Sequence, residues 1–233
     1  MSRLEDHVAG APSVHSSRIN RQMDHLIMAL KVDPGTERPD FLLSLYWIGY
    51  TAEAGEPDRG HVAYLWSTNA RDRNQTNEPA DTKTGDLEAA LTDNPNLAQV
   101  LGARLRPGQW PMTRPERPIL PARFERQNLR PYGIGYRVIA GDLIVEARWE
   151  DLSSPVFASG PTRGGDAWIA TMLVESLRPS ALIDGLPQPG RSFPNPIWQP
   201  WFGNERGSCI LGLGETIYER RTEVARDSGE DPR

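Results

Sequence analysis

The stretch Tyr132 to Trp149, YGIGYRVIAGDLIVEARW, decides the fold class. Gly141-Asp142 in its middle predicts a two-residue hairpin loop of II′ geometry, because glycine in the first loop position tolerates the positive φ that this turn needs. With that loop, Ala140 faces Leu143, Val138 faces Val145, Tyr136 faces Ala147 and Ile134 faces Trp149, which makes one apolar face. On the other face Arg137 opposes Glu146 as a cross-strand charge pair, and Gly135 leaves room beside Arg148. Turn chemistry and side-chain alternation agree, so the chain is read outward from an antiparallel hairpin.

Upstream, Phe41 to Tyr50 (FLLSLYWIGY) is apolar on both faces, as in a strand covered on both sides, and His61 to Trp66 (HVAYLW) is its return strand. Arg123 to Leu129 leads into the central hairpin, and Pro155 to Ser159 follows it. Ala167 to Leu177 fits either period, but the glycine-rich turn before it and Thr171 and Val174 within it favour a strand. Cys209 to Arg220 (CILGLGETIYER) is the last strand. Three segments read as helical. Ile19, Met23, Leu26, Ile27 and Leu30 fall on one helical face capped at Ser16 or Ser17; DLEAALT starts at Asp86; and Asn94-Pro95 opens a third with Leu97, Val100, Leu101 and Leu105 on its apolar side. Polar residues 69–85 form a long excursion, and 107–121, with five prolines, a stiff connector.

The expected architecture is mainly antiparallel β (α+β): a partly closed β-barrel or strongly curved sheet with two or three packed helices. Residues 16–222 form a single β-rich domain between disordered tails, 1–15 and 223–233. Either architecture limits exposed edges and leaves an apolar interior wide enough for one small ligand.

Composition narrows the function classes. Net charge is −5 with basic residues spread along the chain, against a phosphate-tracking nucleic-acid surface. Lys31 and Lys83 are the only lysines, so a Schiff base has two positions to use. Cys209 is the single cysteine, which rules out an intrachain disulfide and gives no sign of an oxidising compartment. The N-terminal residues lack the apolar core of a signal peptide, and the longest apolar runs fall short of the ~20 residues of a membrane helix. A cytoplasmic protein without membrane association is expected, and a homodimer is compatible with these features. The histidines His7, His15, His25 and His61 show no zinc-motif spacing, no phosphate-binding loop or G-x-S-x-G elbow occurs, and the paired glycines of YGIGYR and LGLGET lie in strands. No metal and no cofactor is expected.

The chemistry points to the last strand. Plain alternation groups Leu211, Leu213, Glu215 and Ile217, which puts a carboxylate in an apolar row where ionisation is costly and the pKa rises, as suits a general acid or base. Gly212 and Gly214 flank Glu215 and allow close approach of a ligand or another strand. The bland alternative is a carboxylate at a strand end, or one that pairs with an arginine such as Arg178 or Arg148. Residues 186–203, proline-rich with Phe193, Trp198, Trp201 and Phe202, suit a lid or pocket wall, or else a loop whose aromatics finish the core. Catalytic Glu215 with Trp198, Trp201, Phe202, Tyr136 and Trp149 as substrate-binding residues is thus the candidate site. It fits an enzyme acting by acid/base chemistry on a small apolar or acyl-type ligand, of isomerase, cyclase, hydratase or thioesterase type. A carrier of such a ligand would have no ionisable group facing its cavity, and an assembly subunit would have no cavity.

Overall fold

The computed structural model describes residues 17–51, 59–71, 84–104, 117–161, 167–196 and 207–220. In chain order the elements are β1 (Ser17–Leu30), β2 (Phe41–Thr51), β3 (Gly60–Arg71), β4 (Thr84–Thr92), α1 (Pro95–Arg104), β5 (Ile119–Pro121), β6 (Arg123–Leu129), β7 (Gly133–Ala140), β8 (Leu143–Leu152), β9 (Val156–Pro161), β10 (Ala167–Ile183), β11 (Leu186–Pro187) and β12 (Ile210–Arg220). Ten strands run in the order β5-β4-β3-β2-β1-β12-β10-β8-β7-β6 and form a strongly curled, open half-barrel; β9 and β11 pair onto β10. All pairings are antiparallel except β4 with β5.

The β7–β8 hairpin has the expected register, from Ala140 opposite Leu143 to Ile134 opposite Trp149. Gly141 carries φ 59° while Asp142 stays at negative φ, as a II′ loop requires. Arg137 Nε lies 3.5 Å from Glu146 Oε1 on the outer side. A Cβ at Gly141 would touch nothing, so Gly141→Ala isolates the backbone term. It is expected to lower stability by about 1–2 kcal/mol in chemical denaturation, the size of a left-handed penalty; an unchanged midpoint would mean the loop relaxes to another turn.

The 17-residue β10 couples the two halves of the sheet. Its residues up to Glu175 pair with β12 on one side and β9 on the other; from Ser176 onward it pairs with β8, and at its end with β11. The halves curl toward each other and close one core between them. Leu26, Met28, Phe41, Leu43 and Leu65 from one half join Tyr136, Val138, Val145 and Trp149 from the other. A second core lies on the outer face, where Tyr46, Ile48, Val62 and Tyr64 pack with Leu97, Ala98 and Leu101 of α1.

Two helical expectations fail for the same reason. Residues 17–30 are strand β1, covered on both faces: Leu26, Met28 and Leu30 point into the inner core, while Met23 and Ala29 belong to the outer one. Burial on both sides, with register shifts near Arg21 and Asp24, erases period-two alternation and leaves a spacing that mimics a helix. DLEAALT is strand β4, held between β3 and β5 with Ala89, Ala90 and Leu91 buried, so pairing overrides the helix preference of Leu, Glu and Ala. Among the described residues one helix remains instead of two or three. In α1, Asn94 Oδ1 accepts the backbone N–H groups of Asn96 (3.2 Å) and Leu97 (3.4 Å), the cap expected before Pro95.

Residues 1–15 and 223–233, most of 69–85, and 107–116 of the connector lie outside the described residues. No helix among the described residues is long and apolar enough to cross a membrane.

Candidate functional site

The geometry of the site starts with a bulge in β12. Met23 of β1 pairs with Glu215, and His25 pairs with Gly212. Leu213 and Gly214 therefore stand opposite the single residue Asp24. Gly214 takes φ 60°, the left-handed conformation such a bulge demands of its glycine. The extra residue reverses the alternation. Leu211 and Leu213 face the inner core, whereas Gly212 before the bulge and Glu215 and Ile217 after it face the other side. Glu215 thus does not share a face with Leu211 and Leu213, as plain alternation had predicted; it is buried in a different apolar setting.

That setting is a cavity of about 230 Å³ on the outer face of β1, β12, β10 and β9. Ile27, Ala158, Ile169, Leu173 and Ile210 make its apolar wall, and Thr171, His25 and Glu215 supply the polar groups. Glu215 is only 7% exposed. Burial pushes its pKa up to about 7; the Arg21 guanidinium opposes this, and the Asp24 charge adds to it. Among the described residues the carboxyl takes part in no hydrogen bond, which leaves its oxygens for whatever enters the cavity.

Burial, and then the Arg21 charge, lower the His25 pKa to about 3, so the ring is neutral at physiological pH. It shares a 2.8 Å hydrogen bond between Nε2 and Ser44 Oγ, and it stacks on Tyr46 with ring centroids 4.0 Å apart. Burial raises the Tyr46 phenol above the ordinary range, and the nearby Glu215 charge works in the same direction. Arg21, His25, Tyr46 and Glu215 thus form a buried polar group in the outer apolar face, with one carboxyl that titrates near neutrality.

Gly212 forms part of the wall beside Glu215. A Cβ there would lie 3.4 Å from Glu215 Oε2 and 3.3 Å from Thr171 Oγ1. Its backbone is not in the left-handed region, so the methyl group of Gly212→Ala would act by crowding alone. The expected results are a loss of about 1 kcal/mol and a Glu215 midpoint pushed further up as its surroundings become more apolar. Carbon-13 titration of the carboxyl checks this, and a falling midpoint would mean that the methyl group expels the side chain from the cavity.

The other candidate residues do not gather here. Trp149 is fully buried in the inner core, and its indole N–H donates to the Ile27 carbonyl at 2.9 Å. Tyr136 fills the same core, with its hydroxyl under the charge of Arg126. Both side chains are used up in packing between the sheet halves, so neither lines the cavity as expected. Trp198, Trp201 and Phe202 lie outside the described residues; Phe193 packs against the outer core beneath Lys31, whose Nζ is 4.4 Å from the ring centre. Of the arginines named as its partners, Arg178 lies 3.8 Å from Asp151 instead, and the guanidinium whose charge bears on Glu215 is that of Arg21.

Sequence reading passed over His25, Thr171 and Arg21. His25 looked like the polar side of a helix, and only the strand assignment for β1 brings it beside Glu215. Away from this site, His61 Nδ1 bonds Asp93 Oδ2 at 2.7 Å while Asp93 Oδ1 accepts the His61 backbone N–H at 2.6 Å, a clamp between the start of β3 and the turn before α1. Among the described residues no three His, Cys, Asp or Glu side chains are grouped to hold a metal ion. Comparison of the chain with protein-family models, with curated proteins and with solved structures finds no match.

Proposed function

We propose that the chain is an enzyme that works on a small, largely apolar, uncharged metabolite by acid/base chemistry at Glu215, without metal or nucleotide. The observation that carries this reading is a buried carboxyl, with a pKa of about 7, on the wall of an apolar cavity. Such a group is half protonated near neutral pH and can both remove and return a proton within one turnover. His25, neutral and bonded to Ser44, contributes a fixed polar edge and no competing charge. A volume of about 230 Å³ lies below the ~300–1,000 Å³ of drug-sized sites, which favours a compact substrate. Proton shifts next to a carbonyl, water addition, ring closure and thioester hydrolysis all fit one carboxyl and no electrophilic metal.

A pure carrier fits less well, because a titrating carboxyl on an apolar wall weakens the binding of an apolar cargo whenever it ionises. The test is a panel of small cyclic ketones, enones, lactones and short acyl thioesters, screened by NMR shifts of the cavity residues and then for turnover. Glu215→Gln is expected to keep binding and to lower turnover by at least ~10²-fold. Full turnover in the Gln variant removes the acid/base role, and binding without turnover across the panel favours the carrier.

A further inference from the structure

We infer that Asp24 is a positioning residue: it clamps the Gly214 bulge and thereby sets the face of β12 from which Glu215 projects. This rests on the proposed role of Glu215. Asp24 is the single β1 residue opposite the two-residue bulge, and its Oδ1 accepts the Gly214 N–H at 2.8 Å. A bulge leaves its extra residue outside the regular ladder, so this N–H needs another acceptor, and a carboxylate supplies a charge-assisted one. A strand without the bulge would return Glu215 to the face of Leu211 and Leu213, against the inner core, because one residue of slip exchanges the faces. The clamp therefore favours the register that places the acid in the cavity.

Asp24 is itself held from across the half-barrel. Arg126 on β6 places Nη1 3.8 Å from Asp24 Oδ2, and its charge also acts on the Tyr136 hydroxyl. Arg126, Asp24 and Gly214 thus form a polar chain from one half of the sheet to the bulge in the other. The Asp24 charge is also one of the causes that hold the Glu215 pKa up.

The test uses the full chain labelled with nitrogen-15 and with carbon-13 at the glutamate carboxyls, and it needs no substrate. In Asp24→Ala, Gly214 amide protection against hydrogen exchange is expected to fall about tenfold, the size of one lost charged hydrogen bond. The Glu215 midpoint is expected to shift by more than in Asp24→Asn, the excess over the lost Asp24 charge being the part that position contributes. Asp24→Asn keeps an acceptor oxygen but not the charge, so Gly214 stays protected while the midpoint falls by a smaller step. A Glu215 midpoint that stays at its wild-type value in either folded variant overturns the proposal, even if the melting temperature drops. If the midpoint moves as expected while Glu215→Gln retains full turnover, the clamp stands and the acid/base reading falls.

Discussion

Glu215→Gln is expected to be more stable than the wild-type protein above pH 7 and equally stable near pH 4. The folded-state pKa of Glu215, about 7, lies above its ordinary value of 4.5. Between these values the folded state binds more protons than the unfolded chain, so stability falls as pH rises through the window and stays low above it. At about 1.4 kcal/mol per unit, the full difference is about 3 kcal/mol. The wild-type curve alone hides this slope. His25, lowered from 6.5 to about 3, works in the opposite sense: it destabilises as pH falls from 6.5, because the unfolded ring takes up a proton that the folded one refuses. Between pH 4.5 and 6.5 the two slopes oppose each other, and the wild-type protein should look nearly independent of pH with respect to these groups. In Glu215→Gln the His25 slope stands alone, with stability rising from acid toward pH 6.5 and then levelling off. Urea denaturation at half-unit intervals from pH 4 to 9 reads both curves. Parallel curves for the two proteins would show that Glu215 titrates like an exposed carboxyl, and the catalytic proposal would lose its physical basis.

How much of this was legible in the sequence follows from which cues are local. The Gly141 turn and the alternation on its two sides are encoded within 18 residues, so register and faces could be read directly. In β1 the deciding fact is burial on both faces, which depends on the second core under α1. A sequence window cannot see that core, and the remaining spacing of Ile19, Met23, Leu26, Ile27 and Leu30 reads as a helix. In β4 the Leu, Glu and Ala residues favour a helix until pairing with β3 and β5 outweighs them. The site divides in the same way. A carboxylate inside an apolar strand was visible as such, and its raised pKa follows from that setting alone. Its face was not visible, because the side of β12 that carries Glu215 depends on Gly214 and on Asp24, 190 residues earlier in the chain. The available signal was a glycine within a strand beside the acid, a common mark of a bulge. His25 could not be reached, since its place follows from two facts hidden in sequence, the strand and the bulge.

Trp149 gives the largest expected loss of stability, and it separates packing from ligand contact. Its side chain is fully buried between the sheet halves, and its indole N–H is the donor to the Ile27 carbonyl of β1. Trp149→Ala removes a large buried ring from a core that cannot easily collapse, because strands anchored in both halves surround it; a loss of about 3–5 kcal/mol is expected. For a chain of this length that corresponds to roughly 2–4 °C of melting temperature per kcal/mol. Trp149→Phe isolates the hydrogen bond. It keeps most of the ring volume but leaves the Ile27 carbonyl without its donor, at about 1–3 kcal/mol. Ile27 also lines the Glu215 cavity, on the opposite side of β1 from Trp149, so the Phe variant perturbs the backbone of the wall without touching its surface. Affinity for a cavity ligand should then change little while stability drops. The reverse outcome, weakened binding at unchanged stability, would make Trp149 a ligand contact and would move the binding space from the outer face of the sheet to the interior of the half-barrel.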